Sequence, residues 1–371
     1  MVIKTNKQVI RQKDVNTIYF QESKETERTF MNVKLICDLR ENFEPNMIDK
    51  LMNFNDHPPM DNIEEIQRII TQCGYQCEIF GGIPELIQSV NDKMLFEDSI
   101  FLNLTDGLDM DCGRVQAPIL LDILNVFYSG ADPFQAALID NKYYTKLAVK
   151  NMGISIPESI LIHKNEHLKN LDKLHFPLIV KPNSKGSSIG INQRSICHNK
   201  EELQELLLEN QREFDDILVE QFIPGYEVTN FIIGNNPHYM INEPVLEEFH
   251  GNFIHNNEVM AIEDKAYRTR TFHACYEILG NEITEKIKQT TQKIKEDFGV
   301  NDILRIDYRI TTSGEIYFLE ANTVPRICSK NEAGFICKFY DKPYSFFLRC
   351  LLDTLLERYN KENGVSNQST E

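Results

Sequence analysis

The sequence predicts an α/β protein that begins with an open parallel sheet and continues into an α+β part with long antiparallel strands. Two observations carry this prediction. Between residues 33 and 135, apolar strand segments alternate with helical segments, an order typical of parallel sheets with helices on their faces. After residue 223, long strands dominate. With 371 residues, the chain is long enough for two or three domains.

The first region is assigned from apolar segments with strand or helix periodicity. The predicted strands are Val33–Asp38, Tyr75–Phe80 and Ser99–Leu104, and the predicted helices are Asn62–Cys73, one starting near Pro84, and Pro118–Leu124. A turn at residues 130–133 precedes a single long helix predicted from Phe134 to Asn151. Residues 1–30 are polar and are expected to form a short extension or an added edge strand.

The later regions contain longer strands and fewer helices. The predicted strands are Ser159–His163, Pro177–Lys181, Ile217–Phe222, Tyr226–Ile233, Leu304–Arg309 and Glu315–Ala321, and the predicted helices are Glu201–Asn210, Ile283–Phe298 and Tyr344–Tyr359. The stretch 235–280 has no clear periodicity and receives no assignment. The end of the chain is polar and is expected to be a disordered tail.

Composition limits the possible partners. The net charge of −17 argues against nucleic acid or an anionic membrane as the main partner. The nine cysteines are scattered without Cys-x-x-Cys or Cys/His metal spacing, so reduced thiols in a cytoplasmic protein are expected. Residues 1–7 lack an apolar signal region, and no apolar run reaches membrane-spanning length.

The segment from 303 to 322 predicts a hairpin that carries two facing carboxylates. A two-residue turn at Ser313–Gly314 would place Asp307 opposite Glu320 and Arg305 opposite Asn322, all on one face. Opposed carboxylates repel each other unless a cation lies between them. The all-oxygen set of Asp307, Glu320 and Asn322 suits Mg²⁺ or Mn²⁺, whereas an ordinary solvated hairpin is the alternative.

Two further segments have features of an anion site and a hinge. A strand delivers Lys181 to a loop that contains Gly186, Ser187 and Ser188, and such a loop can cradle an anion with its backbone amides. A plain hairpin turn is the alternative. Next, a strand carrying Glu220 ends in a Pro-Gly turn before Glu227, and its backbone could bind a purine edge. For either carboxylate taken in isolation, an exposed β-turn flanked by ordinary acids is the better explanation.

These segments, in this order, resemble the ATP-grasp superfamily, specifically its D-alanine–D-alanine ligase branch, from about residue 99 to residue 327. The resemblance rests on four segments: Asn141–Lys146, Lys181–Gly190, Glu220–Glu227, and the pair Arg305-x-Asp307 with Glu320-Ala-Asn322. It implies an ATP-grasp fold with domains at 31–135 (preceding α/β domain), 136–222 (small lid) and 223–358 (larger antiparallel-sheet catalytic domain), between an extension (1–30) and a tail (359–371). Dimers are common in this family, so the resemblance also allows a homodimer.

The resemblance implies a role for each matched residue. ATP phosphates would be held by Lys142, Lys181, Gly186, Ser187 and Ser188, and Lys265 would match the family's lysine on the loop that covers the phosphates. Adenine and ribose would be bound by Glu220, Gln221, Phe222, Ile223 and Glu227. Two Mg²⁺ (or Mn²⁺) ions would be held by Asp307, Glu320 and Asn322. The candidate catalytic residues are Arg305, Arg326 and Ser188.

The chain departs from the family pattern mainly where the acceptor substrate would bind. Asn141 and Lys185 replace an Asp and a Glu of the motifs, and Arg326 stands where the family usually has Gly. Counting onward places Asn331–Glu332 where the family binds the acceptor's carboxylate. Arg326 is therefore either a contact for an additional anionic group of a substrate or a structural, outward-facing residue.

The resulting hypothesis is an ATP-dependent carboxylate–amine ligase that forms an amide or peptide bond through an acyl phosphate, with amino acids or small peptides as substrates. The alternatives are a true D-alanine–D-alanine ligase for peptidoglycan, a nucleotide-binding regulatory protein without turnover, and a kinase with a stable acceptor.

Overall fold

Three β-sheets, each with its own helices, make up the part of the chain that the structure, a computed structural model, describes. That part comprises residues 31–42, 57–108, 112–166, 174–186, 188–260 and 270–364. The predicted extension, residues 1–30, lies outside these ranges, as do residues 365–371 of the predicted tail. Within them, no helix has both the length and the apolar character needed to cross a membrane.

The first sheet is parallel throughout, as the alternation of strands and helices predicts. Its strands are β1 (Asn32–Ile36), β2 (Gln76–Gly81), β3 (Ser99–Asn103) and β4 (Phe127–Tyr128), in the order β2-β1-β3-β4, and its helices are α1 (Met60–Gln72), α2 (Ile83–Asn91) and α3 (Gln116–Ile123). Phe101 packs with Leu86 and Leu121 on one face, whereas Leu102 packs with Ile66 on the other. Helices therefore cover both faces.

The single helix predicted over residues 134–151 is wrong. The chain forms two helices there, α4 (Pro133–Asp140) and α5 (Lys142–Asn151). Asn141 separates them with φ −89° and ψ 99°, outside the helical region. Its side-chain oxygen accepts a hydrogen bond from the amide of Tyr144 at 3.1 Å, which is the contact of a helix N-cap. The break therefore places Lys142 in the first turn of a new helix.

The second sheet is antiparallel, with its strands in the order β5-β8-β6-β7. They are β5 (Ser159–His163), β6 (Leu178–Pro182), β7 (Ile196–Cys197) and β8 (Asp216–Gln221), and α6 (Lys200–Asn210) packs against β6. The strand expected after the Ser/Gly loop is only the two residues of β7, because residues 193–195 first form a 3-10 turn. Ile179 pairs with Glu220, so Lys181 and Glu220 are diagonal neighbours on one face.

The third sheet is the largest and has the strand order β12-β10-β9-β13-β14, with β11 attached to β9. Its strands are β9 (Gly225–Asn235), β10 (His238–Phe249), β11 (Ile254–His255), β12 (Arg270–Ala274), β13 (Ile303–Ile310) and β14 (Ile316–Asn322). Its helices are α7 (Cys275–Phe298), α8 (Glu332–Phe339) and α9 (Ser345–Glu362). Strands β10 and β12 lie in the stretch 235–280, which had no assignment, and α9 continues past Tyr359.

The two faces of the third sheet have different neighbours. On one face, Val228 packs in a cluster with residues of α7. On the opposite face, Phe231 packs against Phe347 of α9 with ring centroids 5.5 Å apart. Further along that second face, the paired residues Thr229 and Asp307 line a cleft instead. The part of the sheet that α9 leaves uncovered is therefore the floor of the candidate site.

Asp302 connects the first region to the third sheet. Its carboxylate accepts hydrogen bonds from the amide of Gly130 at 3.1 Å, from Asn235 at 3.0 Å and from Arg358 of α9 at 3.0 Å. Because this carboxylate is fully buried, its bonds fix the relative position of the elements that carry them. The strands of the three sheets fall within 31–135, 136–222 and 223–358, and the division into separate domains at those borders stays a prediction.

Candidate active site

A cleft over the uncovered part of the third sheet collects charged residues from all three regions. Eight residues predicted for the site line it: Lys142, Gly186, Glu227, Arg305, Asp307, Glu320, Asn322 and Arg326. The pair Asn331 and Glu332 lines it too. Six charged or polar residues in the lining were not predicted: Asp106, Arg114, Asp140, Thr229, Glu247 and Arg270.

The two carboxylates of the hairpin face each other, which confirms the predicted pairing. Asp307 of β13 is paired with Glu320 of β14, and Arg305 is paired with Asn322. On the other side of β13, Thr229 lies opposite Asp307. Side chains at opposed positions have Cβ atoms roughly 5 Å apart, so Asp307 and Glu320 form one acidic surface.

The predicted two-residue turn of this hairpin is wrong. Ile310 pairs with Ile316, and the amide of Thr311 donates to Glu315 at 3.0 Å, so the loop contains the three residues 312–314. A β-bulge at Leu319 compensates for the longer loop and restores the predicted register at Asp307. The bulge leaves the Leu319 carbonyl outside the regular ladder, where it accepts a hydrogen bond from Lys146.

Each hairpin carboxylate contacts a cationic side chain. Arg305 donates to Asp307 at 2.9 Å, and the hydroxyl of Thr229 donates to the other Asp307 oxygen at 2.9 Å. The ammonium of Lys142 lies 3.6 Å from Glu320. Burial lowers the pKa of Arg305, but Asp307, Glu332 and Glu320 outweigh burial and raise it. Arg305 is therefore a fixed positive charge beside the acidic surface.

The donor set of the hairpin fits a magnesium ion. Asp307, Glu320 and Asn322 offer oxygen donors only, which hard cations prefer. In the described ranges, no group of three or more His, Cys, Asp or Glu side chains is arranged to hold a metal. The amide oxygen of Asn322, which lines the same cleft, would be the third donor. Mg²⁺ is commonly bound by one or two carboxylates together with substrate phosphates and water, and this donor set matches that pattern.

Glu220 lies between two lysines. Its carboxylate is 2.5 Å from the ammonium of Lys181 and 3.2 Å from that of Lys146, and all three side chains are buried. Burial raises the pKa of Glu220, but Lys146 and Lys181 outweigh burial and lower it. The side chain of Glu220 thus neutralises the lysine pair and does not line the cleft, where an adenine contact had been expected.

The two lysines of this cluster respond differently to burial. Burial lowers the pKa of Lys146 to about 8, and the neighbouring Lys181 lowers it further against the opposing effect of Glu220. For Lys181, burial also lowers the pKa, but Glu220 and Glu320 outweigh it and leave the pKa raised. Lys181 therefore keeps its charge firmly, and it stands one residue before the loop predicted to hold phosphate.

Lys142 is the lysine that reaches the acidic surface from α5. It is buried, and its ammonium donates to the carbonyl of Lys185 at the start of the Ser/Gly loop. Burial lowers its pKa, an effect that Glu320 opposes and Lys181 reinforces. Since Asn141 caps the helix directly before it, the Asp-to-Asn departure of the motif retains the capping oxygen.

The predicted adenine residues Gln221, Phe222 and Ile223 are not among those that line the cleft. Phe222 packs with Ile179 and Val259, and the guanidinium of Arg309 lies 5.5 Å from its ring centroid. The amides of Gln221 and Phe222 donate to protein carbonyls at 2.9 Å, so they are already engaged within the fold. Buried Ile223 follows them.

Glu227 stands at the edge of the cleft. Its carboxylate lies 3.1 Å from the guanidinium of Arg309, and Glu227 also lines the cleft. On the phosphate side, Gly186 lines the cleft and Ser188 has a positive φ of 62°. The predicted phosphate contacts Ser187 and Lys265 lie outside the described residues.

A charge cluster that the sequence did not predict forms the opposite wall. Arg270 of β12 donates to Glu247 at 3.1 Å and to Glu332 at 2.7 Å. Burial raises the pKa of Glu247 to about 7, although Arg270 opposes this effect. The Thr229 hydroxyl that donates to Asp307 also lies 3.2 Å from a Glu247 oxygen, so the cluster is continuous with the acidic surface of the hairpin.

Arg326 stands at the end of the cleft nearest the first region. Its side chain is exposed, and its guanidinium donates to the backbone carbonyl of His57 at 2.9 Å. Its own carbonyl accepts a hydrogen bond from Asn331 at 2.9 Å. Asn331 also caps α8 by accepting from the amide of Ala333 at 3.1 Å. These bonds hold the loop between β14 and α8 in one conformation.

Comparison with known proteins identifies the family. The family model described as "D-ala D-ala ligase C-terminus" matches residues 147–333, half of the chain. The D-alanine–D-alanine ligase of Aquifex aeolicus is 31% identical over 229 residues, which are 62% of this chain and 72% of that protein. The protein of the same name from Halalkalibacterium halodurans is 30% identical over 245 residues, 65% of this chain and 76% of that protein.

Solved structures have the same fold. The D-alanine–D-alanine ligase of Bacillus anthracis, crystallised with ATP, matches with a TM-score of 0.65 at 21% identity, covering 90% of this chain and 100% of that one. The VanG D-Ala:D-Ser ligase of Enterococcus faecalis matches with a TM-score of 0.64 at 17% identity, covering 88% and 99%. At such identities the likeness establishes the ATP-grasp fold alone. The sequence matches go further: this chain is an ATP-grasp enzyme that forms carbon–nitrogen bonds, and it belongs to the D-alanine–D-alanine ligase family.

Proposed function

We propose that this ligase uses MgATP to join the carboxyl group of one small substrate to the amine of another, with amino acids or small peptides as the substrates. One observation carries the proposal: the facing carboxylates Asp307 and Glu320 share a cleft with Lys142, whose ammonium is 3.6 Å from Glu320. Such a combination suits a metal–triphosphate complex, because the carboxylates can bind the metal ions while the lysine and the metal ions bind the phosphate oxygens.

The nucleotide would lie between the second and third sheets, which we propose as a lid (136–222) and a catalytic domain (223–358). Lys142 and Lys181 would bind its phosphates, with Ser187, Ser188 and Lys265 as further proposed contacts. Glu227 would accept from the ribose. Because the amides of Gln221 and Phe222 are engaged, the amide of Ile223 and the carbonyls of residues 221–223 are the proposed purine contacts.

Asp307, Glu320 and Asn322 would hold the magnesium ions. The number of ions would be two, by analogy with the family. Bound Mg²⁺ neutralises phosphate charge and polarises the phosphoryl group. Arg305 lies on the same face of the hairpin and would stabilise the charge on the carboxyl group under attack. Positioning and charge neutralisation, without a protein nucleophile, are sufficient for this type of phosphoryl transfer.

The proposed reaction has two steps. A carboxylate oxygen of the first substrate bonds to the γ-phosphorus of ATP, and the bond to the β–γ bridging oxygen breaks, so ADP leaves. The amine of the second substrate then bonds to the acyl carbon and loses a proton. Inorganic phosphate leaves with the oxygen that came from the carboxylate.

The identity of the amino acids divides the proposal into two candidates. The relatives' names favour D-alanine as both substrates. The charged residues Arg326 and Glu332, at the positions where the family binds the acceptor, favour a different second substrate. A protein with this fold is named a D-Ala:D-Ser ligase. We propose the second candidate because the acceptor positions of this chain carry charges.

The test is a screen of pairs of D- and L-amino acids and dipeptides with MgATP, read by ADP formation and by the mass of the coupled product. We expect one ADP for each amide formed. ADP formation with D-alanine alone, together with D-alanyl-D-alanine, would support the first candidate. An isolable phosphorylated substrate formed without an amine would replace the proposal with a kinase. ATP binding without ADP formation from any pair would replace it with a regulatory nucleotide-binding protein.

The cysteines support a cytoplasmic location as part of this proposal. All nine are free thiols, and most of them are buried or half-buried in apolar clusters. Unpaired, buried cysteines are typical of reducing compartments. ATP and free amino acids are abundant there, as the proposed reaction requires.

A further inference from the structure

We propose that Arg326 is a specificity-determining residue that binds a side-chain carboxylate of a substrate, so that the ligase prefers an acidic amino acid or an acidic residue of a peptide. The proposal rests on the proposed ligase function and adds the chemical class of one substrate. The carboxylate that Arg326 would bind is a different group of the substrates from the carboxyl group that becomes the amide.

The charge of Arg326 is not balanced as those of the other cleft arginines are. Arg305 contacts Asp307, and Arg114 lies 2.7 Å from Asp106. Arg270 contacts two glutamates. In the described part of the chain, by contrast, no carboxylate lies within 4.0 Å of the Arg326 guanidinium, which donates a hydrogen bond to the backbone carbonyl of His57. A neutral carbonyl leaves the positive charge of that guanidinium uncompensated.

A second arginine contacts the same acceptor. Arg40, from the first region, donates to the His57 carbonyl oxygen at 3.3 Å, while Arg326 donates to it at 2.9 Å. The shared carbonyl therefore joins Arg326 to the first region of the chain.

Arg326 is also held in position before a substrate arrives. The bond from Asn331 to its carbonyl fixes the backbone, and its guanidinium is tied to His57 across the boundary with the first region. A guanidinium that is already ordered loses less freedom on binding than a mobile surface side chain. It also presents two parallel donors, which match a carboxylate and not a carboxamide.

Arg326 lies outside the hairpin that carries the proposed metal ligands, in the loop after β14. Arg305 and Asn322 pair across the hairpin at the metal-binding end, and Arg326 follows four residues later in the chain. Arg305 and Arg326 line the same cleft. One substrate can therefore place its reacting group near Arg305 and a second charged group near Arg326. An acidic side chain meets this requirement, whereas alanine offers no such group.

The test compares matched pairs of substrates that differ only in that group: glutamate with glutamine, and aspartate with asparagine, each in both enantiomers. For wild type, we expect kcat/KM for the acidic member to be at least about 10-fold higher than for its amide. In Arg326→Ala, the ratio of kcat/KM for the acidic member to kcat/KM for its amide should fall to about one. Arg326→Lys should retain part of the preference, because lysine keeps the positive charge but lacks the two parallel N–H donors of the guanidinium.

Arg194→Ala is the matched control. Arg194 is exposed, lies outside the cleft and pairs with Glu209 at 3.1 Å, so its removal also deletes one surface charge. This variant should keep the full preference for the acidic member.

Two results would overturn the inference. One is a wild type that uses the acid and the amide equally well. The other is an Arg326→Ala variant in which both fall together, since Arg326 would then bind a group common to both, such as the α-carboxylate. If no pair yields ADP, the ligase proposal fails separately. In that case, the affinities of wild type and Arg326→Ala for glutamate and glutamine are measured by calorimetry. The inference requires that wild type binds glutamate more tightly than glutamine and that the variant loses this difference.

Discussion

The two sides of the cleft differ in how their charges are balanced. On the proposed phosphate side, each lysine described above has a carboxylate beside it: Lys181 and Lys146 share Glu220, and Lys142 has Glu320. On the proposed substrate side, Arg270 pairs with Glu247 and Glu332, whereas Arg326 has no carboxylate within 4.0 Å among the described residues and donates to a backbone carbonyl. A paired network suits a ligand that is the same in every turnover, as a nucleotide is. An uncompensated, exposed charge suits discrimination between substrates. The comparison thus separates reaction type from substrate choice.

The largest expected effect tests whether the phosphate side depends on its buried charge balance. Glu220→Gln leaves Lys146 and Lys181 buried without their carboxylate. Removing one partner of a buried ion pair costs about 3–5 kcal/mol, so we expect a loss of that size in the free energy of unfolding, measured with urea. Glu209→Gln, which breaks the exposed pair with Arg194, should change it by less than about 1 kcal/mol. Equal effects of both substitutions would contradict the buried network.

The next effect concerns activity. Asp307→Asn keeps the size of the side chain and removes one of the two facing carboxylates. We expect kcat/KM to fall on the order of 100- to 1000-fold, because loss of a preorganised charge at a phosphoryl-transfer site has effects of this size. Raising the Mg²⁺ concentration should recover part of the activity.

Glu315→Gln is the control for Asp307→Asn, since Glu315 is an exposed acid at the turn of the same hairpin. It should leave kcat/KM unchanged. An Asp307→Asn enzyme with wild-type activity at limiting Mg²⁺ would show that the hairpin does not bind the metal.

A smaller effect appears in the pH dependence of stability. His255 is fully buried, stacks on Phe249 with ring centroids 3.6 Å apart, and has Glu258, Glu227, His250 and Arg309 as its charged or titratable neighbours. Burial lowers its pKa from 6.5 to about 4. Between these pH values the unfolded chain binds a proton that the folded chain does not, so the free energy of unfolding falls as the pH falls through this window.

The substitution His255→Phe tests this directly, because it keeps the stacked ring and removes the titrating group. The stability of the variant relative to wild type should increase by about 1–3 kcal/mol between pH 6.5 and pH 4. Buried Glu247 changes the stability in the opposite direction, because its raised pKa lets the folded chain bind a proton at a higher pH than the unfolded chain. Both proteins contain Glu247, so the difference in unfolding free energy between variant and wild type isolates the effect of His255.

The smallest effect concerns the helix that delivers Lys142. Asn141→Ala removes the oxygen that caps α5, which should cost about 1 kcal/mol of unfolding free energy. Asn141→Asp keeps an acceptor there and should be at least as stable as wild type. If alanine and aspartate give the same stability, the cap does not position Lys142.

The site was predictable from the sequence where local patterns determine geometry. The pairing of Asp307 with Glu320 follows from strand alternation around a glycine turn, and it is correct even though the turn is one residue longer. The bulge at Leu319 that compensates for it has no sequence signal. Asn141 did carry a signal, since an Asn followed by a helix is a typical N-cap, and the apolar periodicity on both sides obscured it.

The substrate-side wall was not predictable in the same way. Arg270 and Glu247 lie on strands in the stretch 235–280, where Pro244 interrupts the strand pattern. In the structure, pairing with β12 begins only at Val245, so Pro244 loses no hydrogen bond on that edge. The alternation after Pro244 could have indicated a strand, but the contact of Arg270 with Glu332 joins residues 62 positions apart. No local pattern encodes such a contact.

The central claim, that this cleft activates a carboxyl group with ATP, is tested most directly by following an oxygen atom. The protein is incubated with MgATP, an amine substrate and a carboxylate substrate labelled with ¹⁸O in its carboxyl group, and the released phosphate is examined by mass spectrometry. The account predicts one ¹⁸O atom in the phosphate for each amide formed, because the acyl phosphate transfers a carboxyl oxygen. Amide formation with unlabelled phosphate would contradict it.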